Sequence, residues 1–164
     1  HCIESNLKLA SGIAPVVKMI KAGVKVTFGT DGAASNNDLD LICEMSTAAK
    51  IHKAFSKDPT ALNSRTALMM ATRWGAEVLG LGAITGSIEK GKAADLVVIN
   101  LEKPHLTPIY DIYSHLVYSA KSSDVETVIV DGMIVVQNGT LQNGDEQGIM
   151  DKARTWGERI KGSR

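Results

Sequence analysis

Several features that would point to a specialised class of protein are scarce or absent in this sequence. Cysteine occurs only at Cys2 and Cys43, too few for a disulfide framework, so we expect two free thiols in a reducing cytoplasm. Lys plus Arg and Asp plus Glu each number 18, so no net positive field attracts nucleic acid or an anionic membrane. No apolar run approaches the roughly 18 residues of a membrane-spanning helix. We therefore expect neither nucleic acid nor a membrane as a partner.

The residues that are present have the composition of a globular protein. Hydrophobic residues make up 44% and charged residues 22%, and the 164 residues are enough for one ordinary domain with a core. The sequence begins with His1, and its first residues look like the interior of a motif. We therefore expect the chain to be a fragment of a longer protein.

Hydrophobic periodicity predicts that the first half of the chain alternates between helices and a strand. The β-branched run "VKVTFG" follows one helical pattern and precedes two more. We expect Asp38 and Ser64 to cap the second and third helices. This order is typical of an α/β fold with a parallel sheet. The predicted helices span residues 12–23, 39–55 and 65–80, and the predicted strand spans residues 24–29.

The second half of the chain has shorter, β-rich patterns. The composition changes near residues 82–91, where glycine and lysine predict a turn before a short strand. Two β-branched runs flank Asp131-Gly132, a pair that is typical of tight turns in hairpins. We expect a strand at 95–99, a short helix at 111–120, the hairpin at 125–141 and a polar helical tail at 145–164.

An acidic residue at the end of the predicted strand is the main candidate for chemistry. The carboxyl ends of parallel strands form the active face of α/β folds, and Asp31 follows such an end in "VKVTFGTDGAASNND". Small residues at 32–34 leave room for a ligand or metal, and Ser35 and Asn36 offer polar groups at a helix N-terminus. An ordinary Asp-Gly turn stays open as an alternative. A nucleotide-binding turn is a poorer match, because neither G-x-G-x-x-G nor a P-loop lysine is present.

Three stretches together resemble a known family. They are "HCIESNLKLASGIAPV", "GTDGAASNN" and "GSIEKGKAADLVVIN…VETVIVDGMIV". In this order they resemble the amidohydrolase superfamily, and most of all its 5-methylthioadenosine/S-adenosylhomocysteine deaminase and chlorohydrolase-like branch. The resemblance runs from His1 to about Leu141. The first two stretches are specific for the deaminase branch, whereas many amidohydrolases share the third.

The resemblance implies a fold and a division into parts. The fold would be α/β, the C-terminal part of a distorted TIM barrel of the metal-dependent hydrolase type, with part of a small β-sandwich. Residues 1–82 would supply barrel strands and helices, residues 83–141 part of the β-sandwich, and residues 142–164 a C-terminal polar helical tail.

The resemblance also implies a reaction. Asp31 would be both the ligand of one catalytic divalent metal and the acceptor of a proton from the water that this metal activates. The metal would be zinc, with iron and manganese as alternatives. Water would add to the ring carbon that bears an amino group, and ammonia would leave an adenosine-type nucleoside such as 5-methylthioadenosine or S-adenosylhomocysteine.

The remaining ligands of the family lie outside this chain. Its H-x-H, a later metal-binding His with an H-x-x-E partner, and a further catalytic His are absent, and His52, His105 and His115 lack ligand spacing. We expect His52 on a solvated helix face and Glu44 to be solvated or ion-paired. The isolated chain should therefore neither hold the metal tightly nor deaminate a substrate.

The first stretch matches the family's H-x-P-x-S-N loop. His1 would line the substrate pocket and is not among the expected metal ligands, while Ile3 replaces the usual proline. Ser5 and Asn6 match, although capping and loop hydrogen bonds are an alternative role for both. The substrate-binding residues that we predict are His1, Asn6, Ser35 and Asn36.

Two other functions stay open. The protein could act on another aminated or chlorinated heterocycle, such as guanine or a triazine, because the substrate-reading residues of the family lie largely outside this chain. It could also be a non-catalytic barrel remnant that serves as a binding module. Family members often form oligomers, so a homo-oligomer is a candidate state.

Overall fold

The structure is a computed structural model that describes residues 1–162. The last two residues of the predicted tail, 163 and 164, lie outside the described residues. The helices are α1 (Ile3–Lys8), α2 (Val16–Lys21), α3 (Leu41–Ser56), α4 (Ser64–Ala71), α5 (Arg73–Val78), α6 (Ile112–Ser114) and α7 (Glu146–Gly162). A π-helical turn (His115–Ser119) continues α6, and the strands are β1 (Leu96–Ile99), β2 (Val125–Val130), β3 (Met133–Gln137) and β4 (Thr140–Leu141).

The helical part of the chain encloses two small hydrophobic clusters. In the first, α1, α2 and the residues before Asp31 pack against α3 and α4. In the second, α3 and α4 pack against the π-helical turn. Burying each large apolar side chain contributes roughly 1.5–3 kcal/mol, so these contacts hold the helices in place. The first cluster consists of Ile3, Val16, Val26, Ala48, Leu62 and Met70, and the second of Met45, Ala49, Ala67 and Val117.

The predicted strand at residues 24–29 is extended but belongs to no sheet among residues 1–162. The amino group of His1 donates to the carbonyl oxygen of Thr27 at 2.7 Å, and the Gly29 N–H donates to the carbonyl oxygen of His1 at 3.2 Å. These two bonds on either side of one residue have the pattern of a parallel strand pair. The segment thus has the pairing expected at the edge of a parallel sheet, with a single residue as its described neighbour.

The four described strands form one antiparallel sheet in the order β1-β2-β3-β4. The predicted hairpin is confirmed, because Val130 pairs with Met133 across Asp131 and Gly132. Both turn residues have positive φ, 49° and 78°, as a tight hairpin turn requires. The sheet explains why this half of the sequence is rich in β-branched residues.

The N-cap of α3 differs from the prediction. Asp40, and not Asp38, accepts from the N–H groups of Ile42 at 2.8 Å and Cys43 at 3.1 Å. A cap must stand directly before the first helical residue, with its backbone extended, and Asp40 has φ −99° and ψ 102°. The helix therefore begins two residues later than its hydrophobic pattern indicates.

The third predicted helix is interrupted and begins earlier than predicted. Asn63, and not Ser64, is the N-cap of α4, where its Oδ1 accepts from the Thr66 N–H at 2.9 Å. The helix breaks at Thr72, whose φ of −126° and ψ of −94° are not helical, and α5 follows directly. The long apolar pattern at 65–80 thus forms two short helices.

Among residues 1–162, no helix combines the length and the apolar composition that crossing a membrane requires.

Candidate active site around Asp31

The carboxylate of Asp31 receives hydrogen bonds from two separate parts of the chain. Oδ2 accepts from the Ser5 hydroxyl at 2.8 Å, and Oδ1 accepts from the Gly32 N–H at 2.8 Å. Ser5 lies on α1 in the first family-like stretch, and Asp31 follows the extended residues of the second. The fold thus brings these two stretches together at one carboxylate, whose side chain is exposed.

Hydrogen bonding keeps the Asp31 carboxylate ionised. Contacts with the Ser35 and Ser5 hydroxyls, and then the Gly32 N–H, lower its pKa below the usual value. The Ser35 hydroxyl also lies 3.0 Å from the Gly32 carbonyl oxygen, and its single proton serves one acceptor at a time. A carboxylate has about four lone-pair positions, so Asp31 keeps capacity for a cation.

The loop after Asp31 folds into one helical turn. The N–H groups of Ser35 and Asn36 both donate to the Gly32 carbonyl oxygen, at 3.1 and 3.0 Å, and the Asn37 N–H donates to that of Ala33 at 3.0 Å. The turn places the Ser35 hydroxyl beside the Asp31 carboxylate, whose pKa it lowers. Ser35 is therefore well placed for its predicted contact with substrate, and that contact stays a prediction.

Asn36 lies inside the protein. Its side chain is 7% exposed, and its Nδ2 donates to the Thr30 carbonyl oxygen at 2.8 Å and to Glu44 Oε1 at 2.9 Å. Asn36 thus connects the loop both to Thr30, the residue before Asp31, and to Glu44 on α3. Its predicted contact with substrate stays a prediction, while the observed bonds give it a structural role.

Glu44 was expected to be solvated or ion-paired, and that expectation is wrong. Its side chain is fully buried, and Oε2 accepts from the N–H groups of Ile3 at 2.8 Å and Glu4 at 3.3 Å. Burial raises the pKa of the Glu44 carboxyl, and these N–H donors act against that rise. Glu44, Ala48 and His52 are spaced four residues apart and all lie on the core face of α3. This spacing is visible in the sequence and could have indicated that Glu44 and His52 are buried.

His52 was expected on a solvated face, and that expectation is also wrong. The side chain is 3% exposed, and its Nε2 lies 3.1 Å from Nε2 of His1, so one ring donates to the other. Burial lowers the pKa of His52. The ring of His1 also approaches Phe28, with the two centroids 6.5 Å apart. His1 therefore lies between α3 and the extended residues, and its predicted contact with substrate stays a prediction.

Asn6 lies within α1, one residue after Ser5. It is half-buried, and its carbonyl oxygen accepts from the Ser11 N–H at 2.9 Å, which closes the end of the helix. Its predicted contact with substrate also stays a prediction.

The other two histidines have hydrogen-bond partners of their own. The Nε2 of His105 lies 2.9 Å from Asp124 Oδ2. The ring nitrogens of His115 lie 3.0 and 3.1 Å from the carbonyl oxygens of Asp111 and Pro108. Both rings are thus engaged away from Asp31.

Asp31 fits a divalent metal as one ligand of an incomplete set. An ionised oxygen donor is suitable for zinc, iron or manganese. Within residues 1–162, three potential ligand atoms come within 4.8 Å of one another only at Glu4, Asp38 and Cys43, a group that does not include Asp31. Burial, and then a hydrogen bond with Glu4, raises the pKa of the Cys43 thiol to about 11, so the thiol without a metal is protonated at neutral pH.

Sequence comparisons place the chain among named enzymes. A model of the amidohydrolase family matches residues 1–135. The chain is 61% identical over 163 residues to the 5-methylthioadenosine/S-adenosylhomocysteine deaminase of Thermodesulfovibrio yellowstonii, covering 99% of this chain and 37% of the relative. It is 53% identical to the 5'-deoxyadenosine deaminase of Methanosarcina acetivorans, covering 98% of this chain and 37% of that protein. The chain thus spans little more than a third of the length of these curated relatives.

Solved structures agree with the sequence comparisons. An adenosine deaminase from Xanthomonas campestris with bound zinc has a TM-score of 0.96 at 43% identity, over 99% of this chain and 37% of that one. The atrazine chlorohydrolase of Arthrobacter aurescens TC1, complexed with zinc, has a TM-score of 0.87 at 30% identity, over 94% of this chain and 34% of that one. The family predicted from the motifs is confirmed: this chain belongs to the amidohydrolase family, and within it is similar to the 5-methylthioadenosine/S-adenosylhomocysteine deaminases.

Proposed function

We propose that this chain is part of a longer metal-dependent aminohydrolase that deaminates an adenosine-type nucleoside, such as 5-methylthioadenosine or S-adenosylhomocysteine. The observation that carries the proposal is the ionised Asp31 carboxylate, oriented by Ser5 and Gly32. The supporting comparison is 61% identity to a named deaminase over almost the whole chain.

The residues of this chain contribute binding and proton transfer. Asp31 would hold the cation through its carboxylate, which would also accept a proton from the attacking water and return it to the amino group that leaves as ammonia. Ser5 and the Gly32 N–H keep the carboxylate in one orientation. A divalent metal, when bound, supplies a Lewis acid that lowers the pKa of water. Zinc is the metal that we propose, because two similar solved structures contain it.

The substrate lies over the small residues that follow Asp31. Without bulky side chains, residues 32–34 leave space for a purine ring. The Ser35 hydroxyl stands beside the carboxylate and can bind a polar group of the substrate. His1, Asn6 and Asn36 complete the proposed binding set. Since the Ser35 hydroxyl stands beside the Asp31 carboxylate, we expect Ser35 to contribute most.

We also propose that the longer protein has the division into domains that the family resemblance implies. Residues 1–82 belong to a distorted TIM barrel, residues 83–141 to a small β-sandwich, and residues 142–164 form the tail. The remaining metal ligands lie outside this chain. We propose a cytoplasmic location, and a homo-oligomer remains a candidate state.

A triazine hydrolase activity is the second candidate, because atrazine chlorohydrolase is a structural neighbour. Its identity of 30% against 61% for the nucleoside deaminase favours the nucleoside substrate. A non-catalytic binding module is the alternative from another class.

A substrate panel separates these functions. The zinc-loaded full-length protein that contains this chain is incubated with 5-methylthioadenosine, S-adenosylhomocysteine, 5'-deoxyadenosine, guanine and atrazine, and released ammonia or chloride is measured. The proposal predicts ammonia from the three nucleosides with kcat/KM at least about tenfold above that for guanine or atrazine. Preference for guanine or atrazine would replace the proposed substrate, and no turnover of any compound would support the binding module.

A further inference from the structure

A buried carboxylate connects the two segments that build the site. Glu44 is fully buried, and the three groups that donate to it are the N–H groups of Ile3 and Glu4 and the side-chain amide of Asn36. No positively charged side chain is among its described partners. Burying a carboxylate is costly unless hydrogen bonds compensate for lost water, so these donors must keep their positions.

The donors to Glu44 lie next to the residues that form the site. Ile3 and Glu4 begin α1, and Ser5 is the next residue along this helix. Asn36 closes the loop after Asp31, and its Nδ2 also donates to the carbonyl oxygen of Thr30. One carboxylate on α3 therefore holds both α1 and this loop.

We propose that Glu44 is a positioning residue that acts on Asp31 through these two segments. By fixing α1 and the loop relative to each other, it keeps the Ser5 hydroxyl 2.8 Å from Asp31 Oδ2. The orientation of the Asp31 carboxylate toward its metal then depends on a residue that touches neither the metal nor the substrate. The inference rests on the proposed role of Asp31 as a metal ligand.

The Glu44→Gln variant of the full-length protein tests this role. Glutamine keeps the volume of the side chain, but its NH₂ group cannot accept a hydrogen bond. One of the groups that donate to Glu44 therefore loses its acceptor. Changes in direct partners of metal ligands typically cost about 10- to 100-fold, and Glu44 acts one step further out, so the variant should lose about tenfold in zinc affinity and in kcat, with KM altered by less than about threefold. The visible absorption of the cobalt-substituted protein should also change, because the ligand orientation changes.

A neighbouring buried residue provides the control for stability. Met45 follows Glu44 on α3, is 4% exposed and packs in the second hydrophobic cluster. Met45→Ala should lower the melting temperature and leave zinc affinity and kcat per zinc-loaded molecule unchanged. A Glu44→Gln variant that only melts earlier, like Met45→Ala, would overturn the inference.

A double-mutant cycle with Ser5→Ala tests the route of the effect. Ser5→Ala removes the hydroxyl that donates to Asp31. If Glu44 acts through Ser5, the double variant should be within about twofold of the worse single variant in zinc affinity. Independent effects that multiply would contradict the proposed route. If Glu44→Gln does not fold, Asn36→Ala cuts the connection to the loop and should lower zinc affinity in the same direction; unchanged affinity would overturn the inference.

An Asp31→Asn variant and the substrate panel together separate failure of this inference from failure of the proposed function. If Asp31→Asn retains zinc and turnover, the proposed role of Asp31 fails, and with it the basis for Glu44; the proposed function itself fails only if the parent protein deaminates none of the nucleosides in the substrate panel. If Asp31→Asn loses both while Glu44→Gln matches the parent protein, the inference about Glu44 alone fails.

Discussion

At the scale of single residues, Asp31 has an uncommon backbone conformation. Its φ is 61°, in the left-handed region that residues with a Cβ rarely adopt. In this conformation the N–H of Gly32 donates back to Asp31 Oδ1. Strain of this kind often accompanies functional sites, because neighbouring contacts must hold the residue in place. Here the Ser5 hydroxyl supplies such a contact.

Some site residues could be predicted from the sequence and others could not. Asp31 and Ser35 follow a β-branched run in a recognisable local stretch, so neighbouring residues were enough to make them candidates, and their roles at the site stay predictions. Glu44 and His52 were misjudged because polar residues in helices are most often solvated. Their four-residue spacing through Ala48, itself fully buried, indicates a core face, but their partners at the start of the chain are distant in sequence.

Asp124 provides a pH-dependent prediction at the residue scale. Burial alone would raise the pKa of its carboxyl, but bonds from His105 and Lys103, and from the Lys121 N–H, lower it to about 2. Because the folded-state pKa lies below the unfolded value of about 3.9, this stabilisation is present above pH 4 and is lost as pH falls toward about 2.

The Asp124→Asn variant tests the predicted loss of stability at low pH. At about pH 6 it should lower the free energy of unfolding of the full-length protein by about 2 kcal/mol, measured by urea titration. The difference from the parent protein should shrink as the pH falls to about 2.5. Asp151, which forms an exposed ion pair with Arg154 at 2.6 Å, is the control, and Asp151→Asn should change stability by less than about 0.5 kcal/mol. A pH-independent difference at Asp124 would contradict the assignment.

At the scale of elements, local turn chemistry was predictable and helix boundaries were less so. The hairpin at Asp131-Gly132 has its signal in neighbouring residues, and it formed where the sequence indicates. The strand at 24–29 needs partners distant in the chain, and the described residues supply one short pairing with His1. The N-caps shifted because several polar residues precede each helix and tertiary packing selects among them.

The N-cap of α4 gives a direct test at this scale. Asn63→Ala should destabilise the full-length protein by about 1 kcal/mol, because the Thr66 N–H loses its acceptor. Ser64→Ala is the matched variant, since hydrophobic periodicity predicted Ser64 as the cap, and it should change stability by less than about 0.5 kcal/mol. Calorimetric melting of both variants distinguishes them, and a larger effect at Ser64 would refute the observed cap.

At the scale of the whole molecule, the isolated chain leaves apolar side chains of its sheet in contact with water. These side chains are between 41% and 62% exposed. Apolar side chains left exposed on a sheet with open edges promote association. The residues concerned are Val97, Val98, Val130, Met133 and Ile134.

The 164-residue chain by itself should therefore associate as its concentration rises. Sedimentation velocity over a range of concentrations measures this, and Met133→Lys should reduce the association by placing a charge on the most exposed of these side chains. A monodisperse chain that melts cooperatively would contradict the expectation that it is part of a larger fold.

Asp31 remains the centre of the account, and one comparison tests it most directly. Zinc content and deamination of 5-methylthioadenosine are measured together for the full-length protein, its Asp31→Asn variant and its Asp38→Asn variant. If Asp31 is the metal ligand and proton acceptor, Asp31→Asn should lose zinc affinity and at least about a hundredfold in kcat, while the nearby exposed Asp38→Asn should keep both. Full zinc content with near-normal turnover in Asp31→Asn would show that Asp31 is neither a metal ligand nor a proton acceptor.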